Sequence, residues 1–305
     1  MSTALLFPGQ GSQYVGMGTK WIQKYPYAKE LFDRADNALG FSLSKLCFEG
    51  PDAELVKTEF TQPAILTTSV AMFEVLKREK NINFSHVAGH SLGEYSALVA
   101  AGALNFEEAV KTVNLRGQLM QRAVPAGLGK MAAVIRADEN TLNSEIKKVD
   151  PKGQSLSAAN YNSDDQIVVS GSAEAIDALL VSLKELKIKA IPLNVSAPFH
   201  SPLMTTIVAE FEQALKKLNI SSLKVPYVAN IDAKIYANNS VIVNNLAKQI
   251  PGSVMWKQTI ASLKNTGVDK AIEVGPGKVL GGLCAKMATS FECMSMDTLE
   301  DLSSL

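Results

Sequence analysis

Between Ser85 and Ala101 the chain passes from a short apolar strand, Ser85–Ala88, through Gly89-His90-Ser91-Leu92-Gly93 into a segment with helical spacing, Leu92–Ala101. A strand that turns into a helix over so few residues needs small side chains at the corner, and it commits this part of the chain to an α/β layer. G-x-S-x-G at such a corner has two readings. Ser91 is a nucleophile lifted out of the fold on a sharp turn, with the next N–H aimed at a developing oxyanion. Alternatively, Ser91 caps an ordinary helix and the glycines only allow packing. The pattern and its context leave both open.

The neighbouring segments extend the α/β reading. Ala4–Phe7 reads as a buried strand ending at Pro8-Gly9, and Ala271–Val274 as one more core strand before the turn Gly275-Pro276-Gly277. Helical spacing covers about Ala28–Leu39, Thr61–Glu79 and Phe106–Gln121, the last carrying Arg116, and Gly102 suits a helix C-cap. Strands alternating with helices predict a parallel sheet.

At Pro125-Ala126-Gly127 the rhythm changes. Met131–Ile135 reads as a strand, Thr141–Val149 as a helix, Ser155–Ala159 and Gln166–Ser170 as strands around a polar turn Asn160–Asp165, Ala173–Leu186 as a helix and Ala190–Val195 as a strand. That β-α-β-β-α-β order is the split βαβ arrangement. The expected fold is an α/β, hydrolase-like parallel-sheet core made of residues 1–126 and 197–305, with a ferredoxin-like subdomain inserted at 127–196.

Composition then narrows the function. Lys plus Arg and Asp plus Glu both number 30 in 305 residues, so a wholly nucleic-acid- or membrane-binding surface is not expected. Cys47, Cys284 and Cys293 are far apart with no C-x-x-C pair, which suits free thiols in a reducing compartment and no metal site. No apolar run is long enough to span a membrane, and a cytoplasmic monomer is expected.

If Ser91 needs an imidazole, the chain offers only His86, His90 and His200. His86 begins the strand before the corner. His90 adjoins Ser91, so its side chain is expected to point elsewhere, holding the turn or packing. His200 lies in Ala197-Pro198-Phe199-His200-Ser201-Pro202, where prolines stiffen a loop, and it is the candidate base. No acid stands out as its partner: Asp138, Asp150, Asp164, Asp165 and Asp177 all fall in the insertion. A triad and a dyad oriented by a backbone carbonyl are both compatible. Phe7-Pro8-Gly9-Gln10-Gly11-Ser12-Gln13 matches no phosphate-loop pattern, because Tyr14 stands where a third glycine belongs. It is either a plain turn or the source of a second oxyanion donor.

Seven stretches, in order along the whole chain, resemble the acyltransferase family of fatty acid and polyketide synthesis that includes the malonyl-CoA:acyl carrier protein transacylases. They are FPGQGSQ at Phe7–Gln13, TQPAIL at Thr61–Leu66, GHSLGEYSAL at Gly89–Leu98, LRGQLMQ at Leu115–Gln121, GKMAAVI at Gly129–Ile135, SAPFHSPLM at Ser196–Met204 and EVGPGKVLGGL at Glu273–Leu283. The resemblance implies Ser91 as the acyl-carrying nucleophile and His200 as its base. It implies an oxyanion hole from the N–H groups of Gln10 and Leu92, and Arg116 as the ligand of the malonyl carboxylate. Gln249 would orient His200 through its carbonyl, and Asn160 would lie near the cleft between subdomains. No resident cofactor is implied; malonyl-CoA is substrate, and the partners are acyl carrier protein and a coenzyme A thioester. Phe199 resembles the pattern of malonyl-selective members. The chain departs from the family at Asp164-Asp165, where a proline-glycine pair is usual. Lys184, Lys187 and Lys189 on the insertion could meet an acidic carrier or form a solvated helix face. A serine esterase or thioesterase would share the same corner, and a docking protein with a dead site is a third alternative.

Overall fold

The computed structural model describes residues 2–195 and 197–305, so the expected boundary at Ser196, the first residue of the SAPFHSPLM stretch, and Met1 lie outside the described residues. Ten strands are described: β1 (Ser2–Phe7), β2 (His86–Gly89), β3 (Gly129–Ile135), β4 (Leu156–Ser163), β5 (Gln166–Ser172), β6 (Lys189–Pro192), β7 (Tyr227–Val228), β8 (Ile235–Tyr236), β9 (Val268–Val274) and β10 (Glu292–Met296). They form two sheets, β10-β9-β1-β2-β7-β8 and β4-β5-β3-β6. In the first, all neighbours are parallel except β7 with β8. In the second, all are antiparallel. The molecule is therefore an α/β fold with a mostly parallel six-stranded sheet and a separate four-stranded antiparallel sheet carrying helices Glu139–Val149 and Ala173–Glu185.

β1 is almost wholly apolar and buried from Thr3 to Phe7, as a strand covered on both faces should be. It pairs with β2 from Ala4–His86 to Phe7–Gly89. The loops that follow β1 and β2 thus leave the same edge of the sheet side by side, and they bring Gly9-Gln10 next to the Ser91 corner. The carboxyl ends of parallel strands are where open α/β sheets leave room for ligands.

Two helices complete the frame. Thr58–Lys80 contains Pro63, which cannot donate to the carbonyl of Glu59 four residues back. The Asn114 side-chain amide donates to that carbonyl instead, at 2.8 Å. Asn114 belongs to helix Phe106–Ala123, whose Gly117 lies so close to the first helix that a Cβ there would meet Thr58 O and Glu59 Cα at 2.6 Å. This close crossing is what brings Arg116, the neighbour of Gly117, against Gln62.

The structure departs from the expected pattern at several elements. The segment expected to be a polar turn, Asn160–Asp165, is mostly strand: β4 continues to Ser163 with two register shifts, leaving Asp164-Asp165 as the turn. Its far edge is met by Val254, with Tyr161 N donating to Val254 O at 2.9 Å and Val254 N to Ala159 O at 2.8 Å. Pairing on both edges holds polar residues extended, a tertiary effect that outweighs local preference. β6 ends at Pro192 rather than Val195, and β7, β8 and β10 were not anticipated. No helix among the described residues is long and apolar enough to cross a membrane.

Candidate active site

The corner at Ser91 is built by close backbone contact. A Cβ on Gly89 would lie 1.9 Å from Gly93 O, and one on Gly93 would lie 2.1 Å from Phe7 O. No side chain fits at either position. Ser91 itself has φ of 53°, a left-handed conformation that an L-residue holds only under constraint. Asn230 supplies much of that constraint. Its Oδ1 accepts from Ser91 N at 2.7 Å, its Nδ2 donates to Gly89 O at 2.7 Å, and its own N–H donates to Glu94 Oε2 at 3.1 Å.

His200 is presented by a loop in which Ser201 Oγ donates to Pro198 O at 2.7 Å and Ser157 Oγ donates to His200 O at 3.1 Å. The residue has φ of 56°. Its Nδ1 faces two backbone carbonyls, Gln249 O at 2.9 Å and Gly252 O at 3.1 Å. Carbonyls only accept, so Nδ1 carries the proton and Nε2 has a free lone pair. That lone pair faces Ser91 Oγ at 2.7 Å. Of the two compatible arrangements the structure has the dyad, in which the imidazole is oriented by main chain and not by a carboxylate. Burial, and secondly the charge of Arg116, push His200 down to about 3.

Arg116 is also fully buried. Nη1 donates to Gln62 Oε1 at 2.8 Å; Nη2 donates to Gln249 Oε1 at 2.9 Å and to Ser91 Oγ at 3.1 Å. All three partners are neutral. Among the described residues no carboxylate lies within ion-pair distance of this guanidinium. A buried cation with only neutral partners is a costly arrangement that an incoming anion relieves.

These groups open onto a cleft of about 700 Å³ between the two sheets. Gln10 and Leu92 line it, and neither N–H is paired with a backbone acceptor among the described residues. Asn160 lines it from β4. So does His90, whose Nε2 bonds Asn162 Oδ1 at 2.8 Å while its ring meets Trp256 edge-on at 5.5 Å. His86 bonds Ser85 Oγ at 2.9 Å and does not line the cleft. Among the described residues no group of three or more His, Cys, Asp or Glu side chains is placed to hold a metal ion.

Ser91, His200, Gln10, Leu92, Arg116 and Asn160 thus line the cleft and Gln249 is bonded to two of them, whereas His86 and Lys184, Lys187 and Lys189 of the insertion do not line it. Gln62, Glu94, Asn162, Asn230 and Gly252 belong to the same network and were not singled out. Gln62 and Glu94 lie inside two of the seven stretches, TQPAIL and GHSLGEYSAL, so a signal was present. Asn230 and Gly252 have no local signature.

The chain is similar to known proteins along its whole length. The acyl transferase domain model matches residues 4–296. The chain is 44% identical over 300 residues to the malonyl CoA-acyl carrier protein transacylase of Bacillus subtilis (strain 168), covering 98% of this chain and 94% of that protein. It is 40% identical over 295 residues to the protein of the same name from Escherichia coli (strain K12), covering 96% and 95%. Among solved structures, a malonyl-transacylase in complex with its type II PKS acyl-carrier protein superposes with a TM-score of 0.96 at 37% identity, covering 100% of this chain and 98% of that one. With a serine–imidazole pair and a buried guanidinium at one cleft, and with full-length relatives of one kind, the chain belongs to the acyl transferase domain family, among the malonyl CoA-acyl carrier protein transacylases.

Proposed function

We propose that the protein moves a malonyl group from malonyl-CoA to the phosphopantetheine thiol of an acyl carrier protein through a malonyl ester on Ser91, supplying fatty acid or polyketide synthesis. The observation that carries this reading is the buried Arg116 guanidinium, bonded to the same Ser91 Oγ that faces His200 and without a carboxylate partner among the described residues. A substrate that presents an acyl carbon to a serine and a carboxylate to an arginine a few ångströms away is a dicarboxylic half-thioester. Arginine's planar fork suits that carboxylate better than a lysine would.

His200 Nε2 takes the proton of Ser91 as Oγ attacks the thioester carbonyl. The oxyanion is held by the N–H groups of Gln10 and Leu92, each worth about 3 kcal/mol by comparison with other oxyanion holes. The C–S bond breaks and the imidazolium returns its proton to the departing thiolate, so coenzyme A leaves as a thiol. The carrier's thiol then gives its proton to His200, its sulfur attacks the ester, and Oγ regains the proton as the C–O bond breaks. No resident cofactor takes part. We divide the chain for this work into a hydrolase-like domain, 1–126 and 197–305, and a ferredoxin-like insertion, 127–196. Asn160 would lie along the path of the thioester arm at their junction. We read the protein as a cytoplasmic monomer.

The malonyl carboxylate has a second effect. By pairing with Arg116 it cancels part of the positive field that weakens His200. The free imidazole loses activity only as pH falls toward about 3, whereas in the complex this limb shifts upward toward the ordinary 6.5. Since kcat/KM reports the free enzyme and kcat the complex, kcat is expected to begin falling at higher pH than kcat/KM on the acid side. Stopped-flow malonyl loading over about pH 3 to 8 checks this, and coincident acid limbs would contradict it.

Product partition tests the function as a whole. With labelled malonyl-CoA and excess acyl carrier protein, label is expected on the carrier. Label released mainly as free malonate would identify a thioesterase, and no acyl-enzyme at all would identify an inactive docking protein.

A further inference from the structure

Glu94 follows the Ser91 corner by one helical turn and is 1% exposed. A buried carboxyl in this place has no part in the acyl exchange just described. Its contacts lead to everything that does. Glu94 Oε2 accepts from Gln249 Nε2 at 2.7 Å and from Asn230 N at 3.1 Å. Gln249 in turn touches each reacting group: Nε2 also donates to Ser91 O at 3.0 Å, Oε1 accepts from Arg116 Nη2 at 2.9 Å, and its main-chain carbonyl accepts from His200 Nδ1 at 2.9 Å.

A glutamine amide has two nearly isosteric orientations with opposite chemistry. Only with Oε1 toward Arg116 does it hold the guanidinium; turned over, it would point an N–H at a cation. Glu94 can only accept from Gln249 through Oε2, and so it permits one orientation. We propose that Glu94 is a positioning residue that locks the Gln249 amide, and through it the Arg116 fork, in the orientation that selects the malonyl carboxylate. This rests on the functional reading above, in which Arg116 receives that carboxylate.

The lock depends on the acceptor at Oε2 and not on the charge. Burial pushes Glu94 up to about 7, against the hydrogen bonds from Asn230 and Gln249 and the charge of Arg116. Arg116, Tyr95, Tyr227 and Asp232 are the other ionisable groups whose fields reach it. Oε1 has no hydrogen-bond partner among the described residues, so a proton there leaves the Oε2 acceptor in place.

Three variants separate acceptor geometry from charge. Glu94→Gln keeps an acceptor at the same reach and removes the charge. Glu94→Asp keeps the charge and withdraws the acceptor by one methylene. Glu94→Ala removes both. The readout is the ratio of malonyl to acetyl label loaded on Ser91 from the two coenzyme A thioesters, which a merely destabilised fold would not change. Glu94→Gln is expected to keep that ratio within about threefold of the parent. Glu94→Asp and Glu94→Ala are expected to lower it by about tenfold or more, as leaving one buried amide donor without its acceptor would. A ratio lost in Glu94→Gln, or kept in Glu94→Asp, overturns the proposal, and these two variants decide it even if the alanine variant does not fold. Arg116→Ala is run beside them. If it leaves the ratio intact, the functional reading fails; if it abolishes the ratio while Glu94→Asp does not, only the role of Glu94 fails.

Discussion

Ser91→Ala is expected to abolish the covalent intermediate. After incubation with radiolabelled malonyl-CoA, denatured protein should carry no label, and transfer to the carrier should fall by about 10⁴-fold or more, as when other nucleophilic serines are removed. The basis is geometric. Oγ is the atom bonded both to the candidate base at 2.7 Å and to the buried guanidinium at 3.1 Å. The backbone trap is expected to survive, because Asn230 holds the main-chain N–H and the carbonyl of Gly89 and not the side chain. Circular dichroism and the melting temperature should therefore stay close to those of the parent. Labelling at the parent level in a folded Ser91→Ala protein would remove the nucleophile assignment and with it the ester mechanism.

Arg116→Ala should depress malonyl loading by about 10²- to 10³-fold and acetyl loading far less. Removing one member of a buried charged contact costs about 3–5 kcal/mol, and acetyl has no carboxylate with which to make that contact. Arg116→Lys should recover only part of the loss. One ammonium cannot reach Gln62 Oε1, Gln249 Oε1 and Ser91 Oγ and also present a two-pronged face to a carboxylate. Single-turnover loading with both thioesters measures the two losses. Equal losses would make Arg116 a structural residue, whose removal merely leaves the two glutamine oxygens unpaired.

Much of this site was legible because its parts follow short-range rules. The corner at Gly89–Gly93 is marked in sequence because only glycine can approach Gly93 O and Phe7 O so closely. His200 could be reached by elimination among three histidines. The inserted β-α-β-β-α-β unit follows from periodicity. Other parts could not be read this way. The segment at Asn160–Ser163 is polar and looks like a turn, yet it is held as strand by Val254 from a distant part of the chain. Asn230 is one asparagine among many in the sequence. Its role exists only because two backbone groups of the Ser91 corner and the Glu94 carboxylate of the following helix converge on it. Arg116 read alone is an exposed helix arginine; its burial comes from the close crossing at Gly117, which is a property of two helices together.

The amino-acid sequence by itself determined the layers, the glycine-flanked corner at Ser91 and the candidate base, since these depend on side-chain size, periodicity and the choice among few residues. Tertiary structure alone decided that the histidine, 109 positions away, meets that serine with two carbonyls behind it, and that a guanidinium held by neutral acceptors joins them. The physical reason is that burial, field strength and hydrogen-bond partnership are set by which distant segments pack together, and they have no value until the chain has folded.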